Sequence, residues 1–231
     1  MNALHVLHQE IIDCTLCARL VRHRERMAKI KRRAYLEWDY WGKPVPPFGD
    51  PNARMVVIGL APAAHGGNRT GRMFTGDRSG DFLYRALFET GFANQPESRM
   101  RGDGLELRDA YITAAVRCAP PDNKPSRGEF AKCNPYLRCE LDLLNNTRVL
   151  VALGKLAFDA YLDVLRGRGV IRSRAPFRFG HGVEHIPAPG QPVLIGSYHP
   201  SQQNTSTGRL TAAMLREVFE QARAAVERTD R

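Results

Sequence analysis

The first chemical signal is cysteine. Cys14 and Cys17 form a C-x2-C pair, a spacing that lets two thiolates share a metal or act as a redox dithiol. A thioredoxin-like dithiol needs a strand ahead of the pair, and none precedes Cys14. Cys118 follows an apolar run and Cys133 comes fifteen residues later, so four thiolates could converge on one site. Such a set suits structural zinc or an iron–sulfur cluster. A zinc ribbon asks for a second C-x2-C, which is absent, and that favours iron–sulfur. Cys139 lies six residues further on, inside a predicted helix, and reads as a small buried hydrophobe.

The second signal is a pair of polar stretches. GLAPAAHGGNRTGRMFTGD (Gly59–Asp77) is not a Walker phosphate loop, because no Gly-Lys-Ser/Thr closes it. Gly154-Lys155 fails the same test, being followed by Leu156. The Gly, Ala and Pro residues of the first stretch let a flat ligand approach the backbone closely, as a base or sugar would. YHPSQQNTSTGRLT (Tyr198–Thr211) puts His199 at a strand end among Ser, Asn and Thr, company that favours a working histidine over a structural one.

These stretches need a frame. Four short, nearly continuous apolar runs read as strands buried on both faces: Arg54–Leu60, Tyr111–Val116, Arg148–Leu153 and Val193–Tyr198. Helical stretches lie between and after them, at Asp81–Thr90, Glu129–Asn146, Lys155–Leu165 and Leu210–Glu227. Ser126 and Glu129 make a capping box for the second, and Leu210, Met214, Val218 and Ala222 share one face of the last. The alternation predicts an α/β fold with a parallel sheet between helices. Chemistry then gathers at the carboxyl ends of strands, in the loops Ala61–Gly80, Arg117–Pro125 and His199–Gly208. Residues 1–231 read as a single domain, with an N-terminal helical segment and loop over 1–50 carrying two of the cysteines.

Composition sets the bounds. A hydrophobic fraction of 43% with 25% charged residues excludes intrinsic disorder. No apolar run is long enough to span a membrane, and the first residues lack a secretory pattern, so a cytoplasmic protein without a membrane partner is expected. The net charge of +10 favours a polyanionic partner. Two basic runs stand out. Arg19–Arg33 holds eight Lys or Arg against Glu25, and Arg166–Arg178 holds five Arg and no acid. Both are expected to face a phosphate backbone.

The motifs GLAPAAHGG, PPDNKP, VLVALGKLAF and HPS, with the early C-x2-C and the later CNPYL, resemble the iron–sulfur branch of the uracil-DNA glycosylase superfamily. FTGDRSGDFL, TAAVRCAPPDNKP and SYHPSQQNTSTGRLT look closest to its fifth family, type B. The resemblance runs from about Cys14 to Met214. It implies a three-layer α/β/α sandwich around a four-stranded parallel sheet, with the N-terminal segment tied in by a structural 4Fe–4S cluster. Cys14, Cys17, Cys118 and Cys133 would hold that cluster. The run Cys133-Asn134-Pro135-Tyr136-Leu137 matches the pattern of the fourth ligand, whereas Cys139 has no counterpart. The fourth family carries Glu where this chain has Leu60, and Asn where it has Ala114. Both departures point to the fifth family, whose range extends to deaminated purines.

The implied activity is excision of uracil, and of other deaminated bases such as hypoxanthine, by hydrolysis of the N-glycosidic bond in double- or single-stranded DNA. The resemblance also implies a monomer that initiates base excision repair at the nucleoid. His199 would bond the base O2, where negative charge develops, and Phe74 would stack on the flipped base. Asp77 would orient water or stabilise the sugar cation, and Asn123 would contact base or sugar. Gly59, Ala61 and Ala114 would bind the base, and Ser201, with Gln202, Asn204 and Thr205, would grip phosphates. Two other readings compete: a fourth-family enzyme restricted to uracil, and a non-catalytic DNA-binding protein stapled by four-cysteine zinc.

Overall fold

The computed structural model describes residues 3–229. Its centre is a sheet of six strands: β1 (Phe48–Gly49), β2 (Met55–Gly59), β3 (Ala110–Ala114), β4 (Val149–Leu153), β5 (Glu184–His185) and β6 (Val193–Ser197). The order across it is β1-β3-β2-β4-β6-β5. The four five-residue strands pair in parallel, and the two-residue edge strands β1 and β5 pair antiparallel. The sheet is therefore mixed and wider than the four parallel strands expected. Two-residue strands show no periodicity, and β1 lies inside Gly42–Pro51, a Pro/Gly-rich stretch whose composition predicts a loop.

Every residue of the four central strands is buried, which explains their unbroken apolar character. Alternation still divides their side chains between two cores. Met55, Val57, Ile112, Val149, Val151 and Ile195 face one side. Val56, Ile58, Tyr111, Leu150 and Leu194 face the other. The first core is covered by α4 (Arg78–Glu89) and α8 (Ala212–Thr229), through Leu83, Leu87, Val218 and Phe219. The second is covered by α1 (Ala3–Ile12), α5 (Arg127–Leu143) and α6 (Lys155–Gly167), through Leu4, Leu137, Phe158 and Leu162.

Local chemistry sets the helix starts. The Ser126–Glu129 capping box is present at α5. Asp77 caps α4, which therefore begins three residues earlier than periodicity suggests. Outside these two layers lie α2 (Ala18–Ile30), the short helices α3 (Gly67–Thr70) and α7 (Gln202–Ser206), and two 3-10 turns at Arg33–Tyr35 and Pro121–Asn123. Among the described residues no helix is long and apolar enough to cross a membrane.

Candidate active site

From β2 the chain moves outward to β3 on one side, and from β4 outward to β6 on the other. Neighbouring strands whose connections diverge leave a crevice beyond their carboxyl ends, and here that crevice lies between β2 and β4. Gly59, the last residue of β2, pairs in register with Ala114 at the end of β3. A Cβ on Gly59 would stand 2.7 Å from the Phe74 ring, so only glycine leaves the ring its place. On the other side Gly154, at φ 96°, stands just after β4 and packs against the Cβ of His199. The Phe74 and His199 rings are 5.9 Å apart between centroids and tilted by 33°. Four residues from four segments thus meet at one place.

Phe74 sits at φ 52°, a left-handed conformation that costs an ordinary residue on the order of 1–3 kcal/mol. Its neighbours hold it there. The Met73 carbonyl accepts from Tyr84 Oη at 2.9 Å and from Thr75 Oγ1 at 3.1 Å. Thr75 Oγ1 also meets Ser98 Oγ at 2.6 Å and accepts from Arg72 Nε, and Arg72 pairs with Asp103 at 2.6 Å. Gly80 approaches the Phe74 carbonyl so closely that a Cβ would fall 1.8 Å from it.

His199 keeps an accessible edge, yet its ring is deeply set, and burial pushes its pKa down to about 4. The imidazole is neutral at pH 7, and neither ring nitrogen is bonded to another described residue. Its backbone carbonyl accepts from Asn204 Nδ2 at 2.8 Å. Ser201 caps α7 by accepting from the Asn204 N–H, so the two residues shape the turn that carries the histidine.

Asp77 does double duty. Its Oδ1 accepts from the Gly80 N–H at 3.0 Å as the cap of α4, while Oδ2 lies against Gly66, where a Cβ would stand 2.0 Å away. Burial raises its pKa, against the pull of the Gly80 and Ser79 N–H groups. Asn123 is not brought to the rings. It stands exposed at φ 55° in the turn after Cys118, with no side-chain hydrogen bond to a described residue. Ala61 is half-buried against Val116 and Cys118, on the cysteine side of the loop.

Cys14, Cys17, Cys118 and Cys133 line one pocket, together with Arg24, Arg117 and Tyr136. Among the described residues no three His, Cys, Asp or Glu side chains close on a single point as a ready metal site. Arg24 Nη1 donates to Cys118 Sγ at 3.1 Å and to the Cys14 carbonyl at 3.2 Å, while its buried Nε has no partner among the described residues. The Arg117 N–H donates to Cys133 Sγ at 3.4 Å. Burial pushes the Cys118 thiol up to about 12 and the Cys133 thiol to about 11. Arg117 is neutralised by fully buried Glu140 at 2.8 Å, a pair in which removing one partner costs about 3–5 kcal/mol. Arg24 has no carboxylate partner among the described residues. Cys139 is exposed, contrary to the expectation of a small buried hydrophobe. Six residues advance a helix by about 240°, which turns Cys139 away from the face that buries Cys133.

The comparisons with known proteins follow the same geometry. Residues 46–223 match the Uracil DNA glycosylase superfamily. A type-5 uracil-DNA glycosylase of Mycobacterium leprae is 50% identical over 218 residues, covering 94% of this chain and 93% of the relative. One from Thermus thermophilus is 50% identical over 215 residues, covering 93% and 94%. A type-4 uracil-DNA glycosylase of Sulfurisphaera tokodaii is 28% identical over 156 residues, 67% of this chain and 56% of the relative. The chain belongs to the type-5 uracil-DNA glycosylases.

Within that family frame, several residues that shape the site escape motif reading. Gly154 packs on His199, and its signal was the same Gly-Lys step that fails as a phosphate loop. Gly66 and Gly80 admit Asp77 and the Phe74 carbonyl, while Asn204, expected among the phosphate contacts, holds the histidine turn. Arg24 is hidden inside a basic run. The second basic run does not present five free cations. Arg166 and Arg174 pair with Asp163, and Arg168 with Asp142. It follows the carboxyl end of α6, which begins beside the site and runs away from it, so its expected phosphate contact is not supported. The missing acids lie just ahead of the run, at Asp163, and further back on α5, at Asp142.

Proposed function

We propose that this chain is a monofunctional uracil-DNA glycosylase that flips deaminated bases out of DNA and hydrolyses their N-glycosidic bond. The observation that carries this reading is the neutral, unpartnered imidazole of His199 set 5.9 Å from the Phe74 ring at the sheet's crevice, in a chain of this family. Phe74 offers a stacking face to the flipped base. His199 donates a hydrogen bond to base O2 as negative charge builds there, with no cation for the leaving base to quench. Asp77 uses its carboxylate to orient water or to steady positive charge on the sugar, and Asn123 approaches from the neighbouring loop when DNA is bound. Ser201 and the turn it caps meet the flanking phosphates. Gly59 and Ala114 give the pocket floor no fixed donor, and Ala61 adds none, so few groups reject a misfit base. That supports excision of hypoxanthine as well as uracil.

The cysteine pocket is read as the site of a structural 4Fe–4S cluster held by Cys14, Cys17, Cys118 and Cys133. Four thiolates suit either a zinc ion or an iron–sulfur cluster, and the lack of a second C-x2-C favours the cluster as the occupant. Two N–H···S donors and the unpaired Arg24 guanidinium suit one carrying negative charge. When bound, the cluster supplies no bond-breaking chemistry; it ties the N-terminal helices to the loop after β3. The protein is read as a single-domain monomer that works in the cytoplasm on the nucleoid.

The test is excision from labelled duplexes and single strands carrying one uracil, hypoxanthine or thymine, with a chelator present. Abasic sites from uracil and hypoxanthine but not thymine are expected. Cleavage of uracil alone would restore the fourth-family range, and binding without cleavage would remove the enzyme.

A further inference from the structure

The first basic run behaves differently from the second. Arg19 is bound to Glu129 at 2.6 Å, and Arg24 is turned inward to the cysteines. Arg22, Arg26, Lys29, Arg32 and Arg33 remain exposed, and none is ion-paired with a carboxylate among the described residues. Such a row repels itself and is held together only by what lies beneath it.

What lies beneath is the catalytic loop. After α2 the chain runs as a strap over residues 65–71. The Arg69 guanidinium sits between the Tyr35 and Trp38 rings, 3.9 and 4.0 Å from their centroids. Tyr40 Oη meets His65 Nδ1 at 3.0 Å, and the N–H groups of Trp41 and Gly42 donate to the Arg69 and Asn68 carbonyls. Asn68 Nδ2 donates in turn to the Arg24 carbonyl in α2 at 3.1 Å. The strap's aromatic side is thus consumed by the loop that carries Phe74 and Asp77, and its cations are left outside. The field they make is felt locally. Burial lowers the pKa values of His23 and His65; Arg19 and then Arg26 push the first further down, and Arg32 and then Arg69 the second.

We propose that α2 and the strap form a second DNA-backbone surface beside the base pocket, taking phosphates of the duplex flanking the flipped nucleotide through Arg22, Arg26, Lys29, Arg32 and Arg33. The flipped nucleotide comes from the glycosylase reading; the phosphate partner rests on the unpaired charge alone. The surface is mounted on the same loop as the chemistry, so backbone contact there sets the register of the loop on the lesion. The N-terminal helices, on this view, are part of the DNA footprint and not only a cover for the sheet.

The experiment is anisotropy titration of the full-length protein with a uracil-free labelled duplex, from about 50 to 200 mM salt, where each phosphate contact adds about 0.9 to the slope of log K against log salt. The variant Arg26→Gln/Lys29→Gln/Arg32→Gln/Arg33→Gln is expected to flatten the slope by about 3 to 4. The milder Arg26→Gln/Arg32→Gln guards against misfolding and is expected to flatten it by about 2. The matched Arg166→Gln/Arg172→Gln, in the second run, is expected to leave it unchanged. An unchanged slope in the α2 variants, or an equal loss in the matched control, would overturn the proposal. Wild-type excision of a uracil duplex is scored in parallel. If wild type binds steeply but cuts nothing, the glycosylase reading fails while the surface stands.

Discussion

The Phe74 ring rests on the end of β2 so closely that Gly59 has no room for a methyl group: Cε2 and Cζ lie 2.7 Å from where its Cβ would be. A core strand and the Phe74 ring share one surface. Gly59→Ala is therefore expected to push the ring off the crevice. A displacement of about 1 Å at a reacting site costs about 10²-fold in rate. Single-turnover excision should fall by that order while affinity for an undamaged duplex stays put. Adding Phe74→Leu to Gly59→Ala should recover melting temperature but not rate. Recovery of both would show that the ring is packing only.

Asp77 carries a helix cap and a buried carboxylate in one side chain, and two substitutions separate these jobs. Asn caps about as well as Asp, whereas Ala costs about 1 kcal/mol. Asp77→Asn should thus keep wild-type stability and lose most of the excision rate, while Asp77→Ala loses both. Burial raises this carboxyl's pKa. Excision that needs the carboxylate should decline on the acid side at a pH above the ordinary aspartate value of about 3.9. Asp77→Asn should have no such limb in its pH–rate profile.

His199 gives the opposite sign. Burial holds its folded-state pKa at about 4, below the ordinary 6.5, so the unfolded chain takes up the proton first. Stability from keeping this ring neutral is complete above pH 6.5 and drains away as pH falls towards 4. The total is about 3 kcal/mol. Denaturant titrations across that window should show the loss in wild type and a flatter dependence in His199→Gln. At pH 7, His199→Ala should slow excision by about 10²-fold while binding DNA normally. A wild-type rate in that variant would remove the histidine from the chemistry.

The central strands were legible because burial on both faces leaves an unbroken apolar run, and Val149–Leu153 is such a run. The edge strand Glu184–His185 was not, since two half-polar residues carry no pattern. His199 and Phe74 were reachable from motif and loop position. The path linking Arg24 to Asn68 and on to the loop that carries Phe74 was not, because it joins residues 44 positions apart through one carbonyl. Local composition also misled. The Arg166–Arg178 run looked unopposed because its acids, Asp142 and Asp163, lie outside it. Cys139 looked buried because thiols usually are, although its angular position on α5 turns it out.

That angular difference yields the sharpest test of the cysteine pocket. Cys133 and Cys139 share α5, yet one lines the pocket and the other meets solvent. Cys133→Ser should purify without bound metal and colourless. Losing the tie between the N-terminal helices and the loop after β3 should cost about 2 kcal/mol or more, a drop of about 4–8 °C in melting temperature. Cys139→Ser should match wild type in iron content, visible absorbance and melting. Iron and sulfide at about four per chain in wild type are expected from a cluster of this kind. One zinc per chain, with no colour, would instead mean that the four thiolates close on a single ion.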